Sequence, residues 1–532
     1  MSFPLLTATA AVPAIGAIVT AAVPSARRTA AKWLALLFSL ATLLLAGVVG
    51  ARFDPGGDRY QLTESHAWIA DFGVRYELGV DGIGVALIGL TALLIPFIIL
   101  AGWHDADPYE TDSKRWRPTQ GFFALILMVE AMVILSFEAT DVFLFYVLFE
   151  AMLIPMYFLI GGFGDRAAAT QPAADAAGGS DEKAAAQRSY AAVKFLLYNL
   201  VGGLIMLAAV IGLYVVAGNF SLQEIAAARA SGELEMATNT ERLLFLGFFF
   251  AFAVKAPLWP LHTWLPNAMG EATAPVAVLI TAVVDKVGTF AMLRFCLQLF
   301  PEASKWATPV ILVLALISIV YGALLAVGQR DIKRLVAYAS ISHFGFIIMG
   351  IFAMTSQGQS GATLYMINHG ISTAALMLVA GFLISRRGSR LIADFGGVQK
   401  VAPVLAGTFL IGSLATLSLP GLAPFVSEFL VLVGTFTRYP VVGIIATFGI
   451  VLAALYTLVL YQRTMTGPVK LEVAKMPDLR VRELVVVAPL IALLIFLGVY
   501  PKPVTDLVNP AVGHTLSDVQ KKDPKPEVEA AK

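Results

Sequence analysis

Four ionisable residues stand within long, mainly apolar stretches. Glu150 lies in DVFLFYVLFEAMLIPMYFLIG, Lys255 in GFFFAFAVKAPLWPLHTWLP, Lys286 in VLITAVVDKVGTFAMLRF and Glu428 in LAPFVSEFLVLVGTF. A charge at the middle of a membrane span costs about 2.5–3.5 kcal/mol on insertion scales, so it is rarely kept without a use. A carboxylate and an amine that approach and separate in low dielectric can bind and release a proton, which makes Glu150 and Lys255 a candidate proton-handling pair. The competing reading is a structural salt bridge that fixes helix packing. Lys255 has a second distinguishing feature. Pro257 and Pro260 follow it, and both remove backbone donors and break a helix. Broken helices at membrane depth are tolerated where they line a polar cavity, and transporters build ion sites there.

Other residues extend this set. His343 in SISHFGFIIMG and His369 in MINHGISTAALML fall between Lys286 and Glu428, and imidazole passes protons near neutral pH. Asp285 precedes Lys286, but neighbours one apart point to different helix faces and do not pair cleanly. Lys286 therefore reads as a relay. His262 follows the second proline and is a secondary proton-transfer candidate, with capping or gating as the alternative. Glu130 is a second partner candidate or faces an interface. Lys194 and Arg294, near span ends, read as snorkelling side chains. Trp259, Trp264 and Trp306 fit packing or the membrane interface.

The elements that must hold these residues are membrane helices. The chain has 532 residues, 58% hydrophobic and 14% charged, against about 25% charged in soluble domains. Its net charge of +1 argues against nucleic acid as a partner. The single cysteine, Cys296, cannot hold an iron–sulfur cluster or a structural zinc, and no phosphate-cradling glycine motif stands in a suitable context. No cofactor or metal site is expected in this chain, so redox or nucleotide energy would have to come from another subunit. The apolar N-terminus lacks a small-residue cleavage site and reads as a first span rather than a signal peptide.

About fourteen spans are predicted from the need for about 20 apolar residues each: 3–22, 32–50, 83–101, 120–138, 141–160, 190–217, 243–264, 275–296, 307–327, 335–354, 361–384, 403–436, 442–462 and 485–500. The twelfth is too long for one straight helix, and Leu419-Pro420-Gly421-Leu422-Ala423-Pro424 divides it, as the prolines divide the seventh. Interrupted helices at matching places in two halves point to inverted repeats. The fold class is thus an all-α polytopic membrane protein with two inverted five-helix repeats. Residues 1–119 form an N-terminal three-helix segment, 120–300 the first repeat, 301–465 the second, and 466–532 the last helix with a polar tail. The loop 164–189 reads as a mobile insertion and the tail from about Ser517 as disordered. Odd-numbered loops carry about 21 Lys and Arg residues and even ones about 7, which puts the odd loops in the cytoplasm and both termini on the other side.

Six segments in order carry a resemblance: FEAMLIPMYFLIG, FAVKAPLWPLHTWLPNA, DKVGTFAMLRF, DIKRLVAYASISHFGFIIMG, NHGISTAALML and LSLPGLAPFVSEFLVL. From about the fourth to the thirteenth span the chain resembles the antiporter-like subunits of proton-pumping NADH:quinone oxidoreductase, respiratory complex I. Glu428, where sister subunits usually carry lysine, marks the branch of subunit M and mitochondrial chain 4. The resemblance implies a Glu150–Lys255 pair in a first half-channel, Lys286 as the central link, His343 and His369 extending it, and Glu428 ending a second half-channel. It implies FMN, iron–sulfur clusters and quinone in other subunits, L- and N-type neighbours, lipid surroundings, and a bacterial-type plasma membrane. Two departures stand in the connector. The family commonly has WLPDAH where this chain has Trp264-Leu265-Pro266-Asn267-Ala268-Met269, and EAPTAGSV where it has EATAPVAV. A subunit of a multisubunit sodium/proton antiporter shares these motifs and is the alternative. A scaffold whose buried charges only hold helices together is a third reading.

Overall fold

A computed structural model describes residues 3–107, 118–165 and 180–524. The first elements are α1 (Leu5–Ala22), α2 (Arg28–Arg52) and a hairpin of β1 (Gln61–Ile69) and β2 (Val74–Val80). The strands pair antiparallel, with Glu64 opposite Leu78. Gly73 makes the turn with φ 67°, a conformation that glycine adopts without a Cβ penalty. Then follow α3 (Gly82–Ala101), α4 (Thr119–Glu138), α5 (Val142–Ala151), α6 (Leu153–Phe163), α7 (Ser180–Ala217), α8 (Leu222–Ser231), α9 (Thr238–Lys255) and α10 (Leu265–Glu271). The next span, Ala274–Leu297, contains α11 (Ala274–Val278) and α12 (Asp285–Ala291), each followed by a π-helical stretch. Such stretches are rare and concentrate at functional sites. The chain continues through α13 (Pro301–Val327), α14 (Ile332–Ala353), α15 (Ser356–Arg387), α16 (Pro403–Thr416), α17 (Ala423–Arg438), α18 (Pro440–Met465), α19 (Val481–Val499) and α20 (Lys502–Asp518).

Among the described residues, twelve helical segments are long and apolar enough to cross a membrane. The other two predicted spans are the interrupted ones. The first ends as α9 at Lys255, runs irregularly through Pro257 and Pro260, and resumes as α10 with Pro266 in its first turn. The second breaks between α16 and α17, where Ser418 and Gly421 take φ 60° and 92°. Glycine reaches that region without strain; serine does so only under local constraint.

Burial identifies the centre. The span Ala274–Leu297 is 100% buried over its most apolar window, and α14 and α15 are 94% buried. The windows of α2, α7, α18 and α19 are 33% buried and form the outer wall. The charges must therefore be sought around α12, α14 and α15.

The structure corrects several sequence expectations. The all-α class holds for the spans, and to it the structure adds one short hairpin whose strand QLTESHAWI lies between α2 and α3, outside any span. The predicted fifth span is present as one apolar segment, Val142–Phe163, whose helix is interrupted for a single residue at Met152 between α5 and α6. Of the 164–189 insertion, 166–179 lie outside the described residues, while 180–189 already belong to α7. The tail is ordered further than its polarity suggested. The backbone carbonyl of Lys522 accepts from Arg438, and Asp523 accepts from Ser356 N at 2.8 Å. Residues 525–532 lie outside the described residues, as do Lys114 and Arg115 of the third loop.

Candidate functional site

Glu150 and Lys255 come from helices that end early. Glu150 is next to last in α5, and Lys255 is the last residue of α9. The predicted pair is not a direct ion pair. Lys255 Nζ donates to the backbone carbonyl of Phe149 at 2.8 Å and lies 3.6 Å from the centroid of the Phe149 ring. Glu150 Oε1 is buried with no hydrogen-bond partner among the described residues. Its carboxylate fills a slot on α7 at Gly203, where an added Cβ would fall 1.8 Å from Oε1. The two groups lie close enough for their charges to act on each other. The reason for the offset is local. At the end of α9 the ammonium finds an acceptor one residue before Glu150, and a carbonyl there satisfies a buried donor.

Asp285 and Lys286 lie on α12, both fully buried. Lys286 Nζ is 2.8 Å from His369 Nδ1 on α15 and 4.2 Å from the centroid of the Phe344 ring. His369 Nε2 is 3.2 Å from the Thr373 hydroxyl. The His343 ring on α14 packs 5.3 Å from the His369 ring and 5.8 Å from that of Tyr365. Tyr365 donates to Glu428 Oε2 at 2.9 Å, and the Ser418 hydroxyl donates to the same oxygen. Lys286 with His369, and Tyr365 with Glu428, thus form two buried polar pairs joined by the packing of the His369 and Tyr365 rings at 6.4 Å, a file with His343 at its side. Asn368 ties α15 to the second break, donating to Ala423 O at 2.8 Å.

Tyr365 and Ser418 were not singled out from the sequence. Tyr365 stands four residues before His369, so the two share a helix face, and that spacing was the available signal. Ser418 carried none, because its role depends on the left-handed conformation in the break.

The remaining candidates separate from this file. Glu130 is fully buried on α4, and neither carboxylate oxygen has a hydrogen-bond partner among the described residues. His262 is buried in the first break, with its ring 5.3 Å from that of Tyr321, and its Nδ1 has no partner among the described residues. Lys194 lies between Tyr190 and Tyr198, 5.9 and 5.8 Å from their centroids. Arg294 does not snorkel. It is buried, pairs with Asp81 at 2.9 Å and donates to Phe137 O at 3.1 Å. Trp264 is buried and donates to Val254 O at 3.0 Å, while Trp306 is exposed beneath Arg242. In the divergent connector, Asn267 accepts from Arg334 at 3.4 Å and Met269 is fully buried. Among the described residues, no group of three His, Cys, Asp or Glu side chains is placed to hold a metal ion.

Comparisons with known proteins show the family and the fold. Residues 180–453 match the family described as NADH:quinone oxidoreductase/Mrp antiporter, TM. The chain is 54% identical to NADH-quinone oxidoreductase subunit M of Mycobacterium tuberculosis over 97% of this chain and 95% of that one. It is 34% identical to NADH-ubiquinone oxidoreductase chain 4 of Arabidopsis thaliana over 95% of each. A chain of respiratory complex I from Thermus thermophilus superposes with a TM-score of 0.83 at 29% identity, over 97% of this chain and 99% of that one. A chain of the Mrp complex from Dietzia sp. gives 0.81 at 19% identity, over 98% and 100%, a likeness of fold alone. The chain belongs to the antiporter-like family of NADH:quinone oxidoreductase membrane subunits, in its subunit M branch.

Proposed function

We propose that this chain translocates protons as a membrane subunit of NADH:quinone oxidoreductase, with no redox chemistry of its own. The observation that carries this reading is the file Lys286–His369–Tyr365–Glu428, whose members are in contact through the buried centre of the fold. Each end of the longer axis sits beside a helix break, with Lys255 before the first and Glu428 after the second. In the proposed cycle, a change in a neighbouring subunit alters the distance between Glu150 and Lys255. Lys255 then binds or releases a proton, which moves through Lys286 and the histidines to Glu428. His343 lends a second imidazole beside the file. Glu130 and His262 stand apart from it and serve, in this reading, as secondary groups.

The architecture that fits this cycle has fourteen crossings, counting each interrupted pair as one. Residues 120–300 and 301–465 form the two inverted five-helix repeats, between an N-terminal segment 1–119 and the terminal part 466–532. FMN, the iron–sulfur clusters and the quinone site belong to partner subunits, and the nearest neighbours are antiporter-like chains of the L and N types. The protein resides in a bacterial-type plasma membrane, with both termini on the non-cytoplasmic side.

The test is Lys255→Ala in the whole complex. NADH-driven acidification of membrane vesicles is expected to be lost or strongly reduced, with the complex still assembled. Normal pumping by an assembled Lys255→Ala enzyme would sink the proposal. Recovery of pumping when Glu150 and Lys255 are neutralised together would favour a scaffold.

A further inference from the structure

The first turn of α12 divides its two charges between two neighbouring helices. Gly288 stands one turn after Asp285, and a Cβ built on it would meet Phe252 O at 2.9 Å and Ala256 N at 3.0 Å. The face carrying Asp285 and Gly288 is therefore pressed against the end of α9, on Phe252 in its last turn and Ala256 just beyond it, on either side of Lys255. Thr289 stands one turn after Lys286, and its hydroxyl is 2.9 Å from Met366 Sδ on α15. The face carrying Lys286 and Thr289 thus looks at α15, where Lys286 meets His369. Consecutive residues in a helix are about 100° apart, so the two side chains cannot serve the same neighbour.

Asp285 is fully buried, and neither of its oxygens has a hydrogen-bond partner among the described residues. Buried carboxylates are normally hydrogen-bonded or paired, so a bare one needs a reason. The two cations whose charge reaches it are Lys286 on its own helix and Lys255 across the α9 contact. Among the described residues, no other carboxylate acts on both lysines. Glu150 acts on Lys255, and Lys286 otherwise meets imidazole.

We infer that Asp285 is the proton carrier between the two lysines, accepting the proton that Lys255 releases on the α9 face and delivering it to Lys286 on the α15 face. The inference rests on the proton-translocating reading given above. The step balances without a co-reactant. The Lys255 ammonium gives its proton to the Asp285 carboxylate, leaving a neutral amine and a neutral carboxyl. The carboxyl then passes the proton to the neutral Lys286 amine, which becomes an ammonium and returns Asp285 to its charged form. One proton has crossed from α9 to α15, and each bond broken is replaced by one formed.

The experiment uses the intact complex in membrane vesicles, with Lys286→Met, Asp285→Asn and Asp285→Glu made separately. Lys286→Met is expected to abolish pumping. Asp285→Asn is expected to lower it by about tenfold or more at normal complex content, the scale of a lost acid–base group, and Asp285→Glu to restore most of it. If Lys286→Met pumps normally, the proton axis itself is wrong. If Lys286→Met fails to pump and assembled Asp285→Asn pumps normally, the role of Asp285 alone is overturned. Infrared difference spectra of the complex on NADH addition decide the matter if Asp285→Asn does not assemble. A carrier gives a carboxyl stretching band that moves between wild type and Asp285→Glu. A fixed countercharge gives no such turnover-linked band, and that result overturns the inference.

Discussion

Gly203→Ala perturbs the position of Glu150 without changing any charge. An alanine Cβ at this place would fall 1.8 Å from Oε1, 2.1 Å from Cδ and 2.5 Å from Oε2 of Glu150. Non-bonded atoms settle at about 3.5 Å, so the carboxylate must withdraw by roughly 1.5 Å. It is the far end of a flexible side chain, so it can do so at about 0.5–1.5 kcal/mol of rotamer strain. Replacing glycine inside α7 returns about 1 kcal/mol of helix propensity. These terms nearly cancel, so the amount and heat stability of the complex are expected to stay close to wild type. The proton step is different, because a misplacement of about 1 Å can cost up to about 100-fold. Pumping per assembled complex is expected to fall about tenfold or more. The assay is NADH-driven dye quenching in inside-out vesicles, normalised to complex content on a native gel. Gly89→Ala on α3 is the control, since an added Cβ there meets nothing within 4 Å. Wild-type pumping by assembled Gly203→Ala complex refutes the claim that Glu150 works from this slot.

Three further outcomes are expected. Tyr365→Phe removes a 2.9 Å bond to Glu428, a loss of about 1–3 kcal/mol at a buried acceptor, and should slow pumping about tenfold or more while complex content holds; an unchanged rate in vesicles would place Tyr365 outside the path. Arg294→Ala leaves Asp81 without its buried partner at a cost of about 3–5 kcal/mol, so the complex band on a native gel should shrink, and Arg294→Ala with Asp81→Asn should recover part of it. Asp105 lies in the loop after α3, where burial first and the neighbouring Asp165 next push its carboxyl up to about 7, with Arg482 opposing. Its folded value lies above the unfolded one, so ionisation destabilises the fold, with no penalty below about pH 4 and the full penalty above about pH 7. Because the side chain keeps some contact with water, about 1–2 kcal/mol is a realistic size. Asp105→Asn should therefore raise the heat-inactivation midpoint at pH 8 more than at pH 5; equal shifts at both would contradict this.

Hydropathy located the long helices because a span needs about 20 apolar residues whatever surrounds it. The proline pairs located the breaks, since a missing donor acts locally. Long-range partners were harder to read. Glu150 and Lys255 looked like an ion pair because opposite charges attract, yet a carbonyl one residue away took the ammonium. Arg294 looked like a span-end cation, but Asp81, more than 200 residues earlier, meets it in the interior. The hairpin stayed hidden because its strands carry a mixed polar sequence with no apolar run. In the site, the charged members and both histidines stood out by being polar in apolar surroundings. Tyr365 did not, because an aromatic ring in a membrane helix is ordinary until its hydroxyl finds an acid.

The bond between Lys255 and the carbonyl of Phe149 also bears on inheritance. A carbonyl acceptor belongs to the backbone, so no substitution at 149 other than one that moves the chain removes it. The phenylalanine ring beside it, 3.6 Å from the ammonium, is open to change; the oxygen is not. A survey of side-chain variants would score this position by its ring and never register the bond. Apart from a change of Lys255 itself, what reaches it is a shift in the path of the chain, as near the α5–α6 junction at Met152, which ties the drift allowed at that junction to the resting place of a lysine more than 100 residues away.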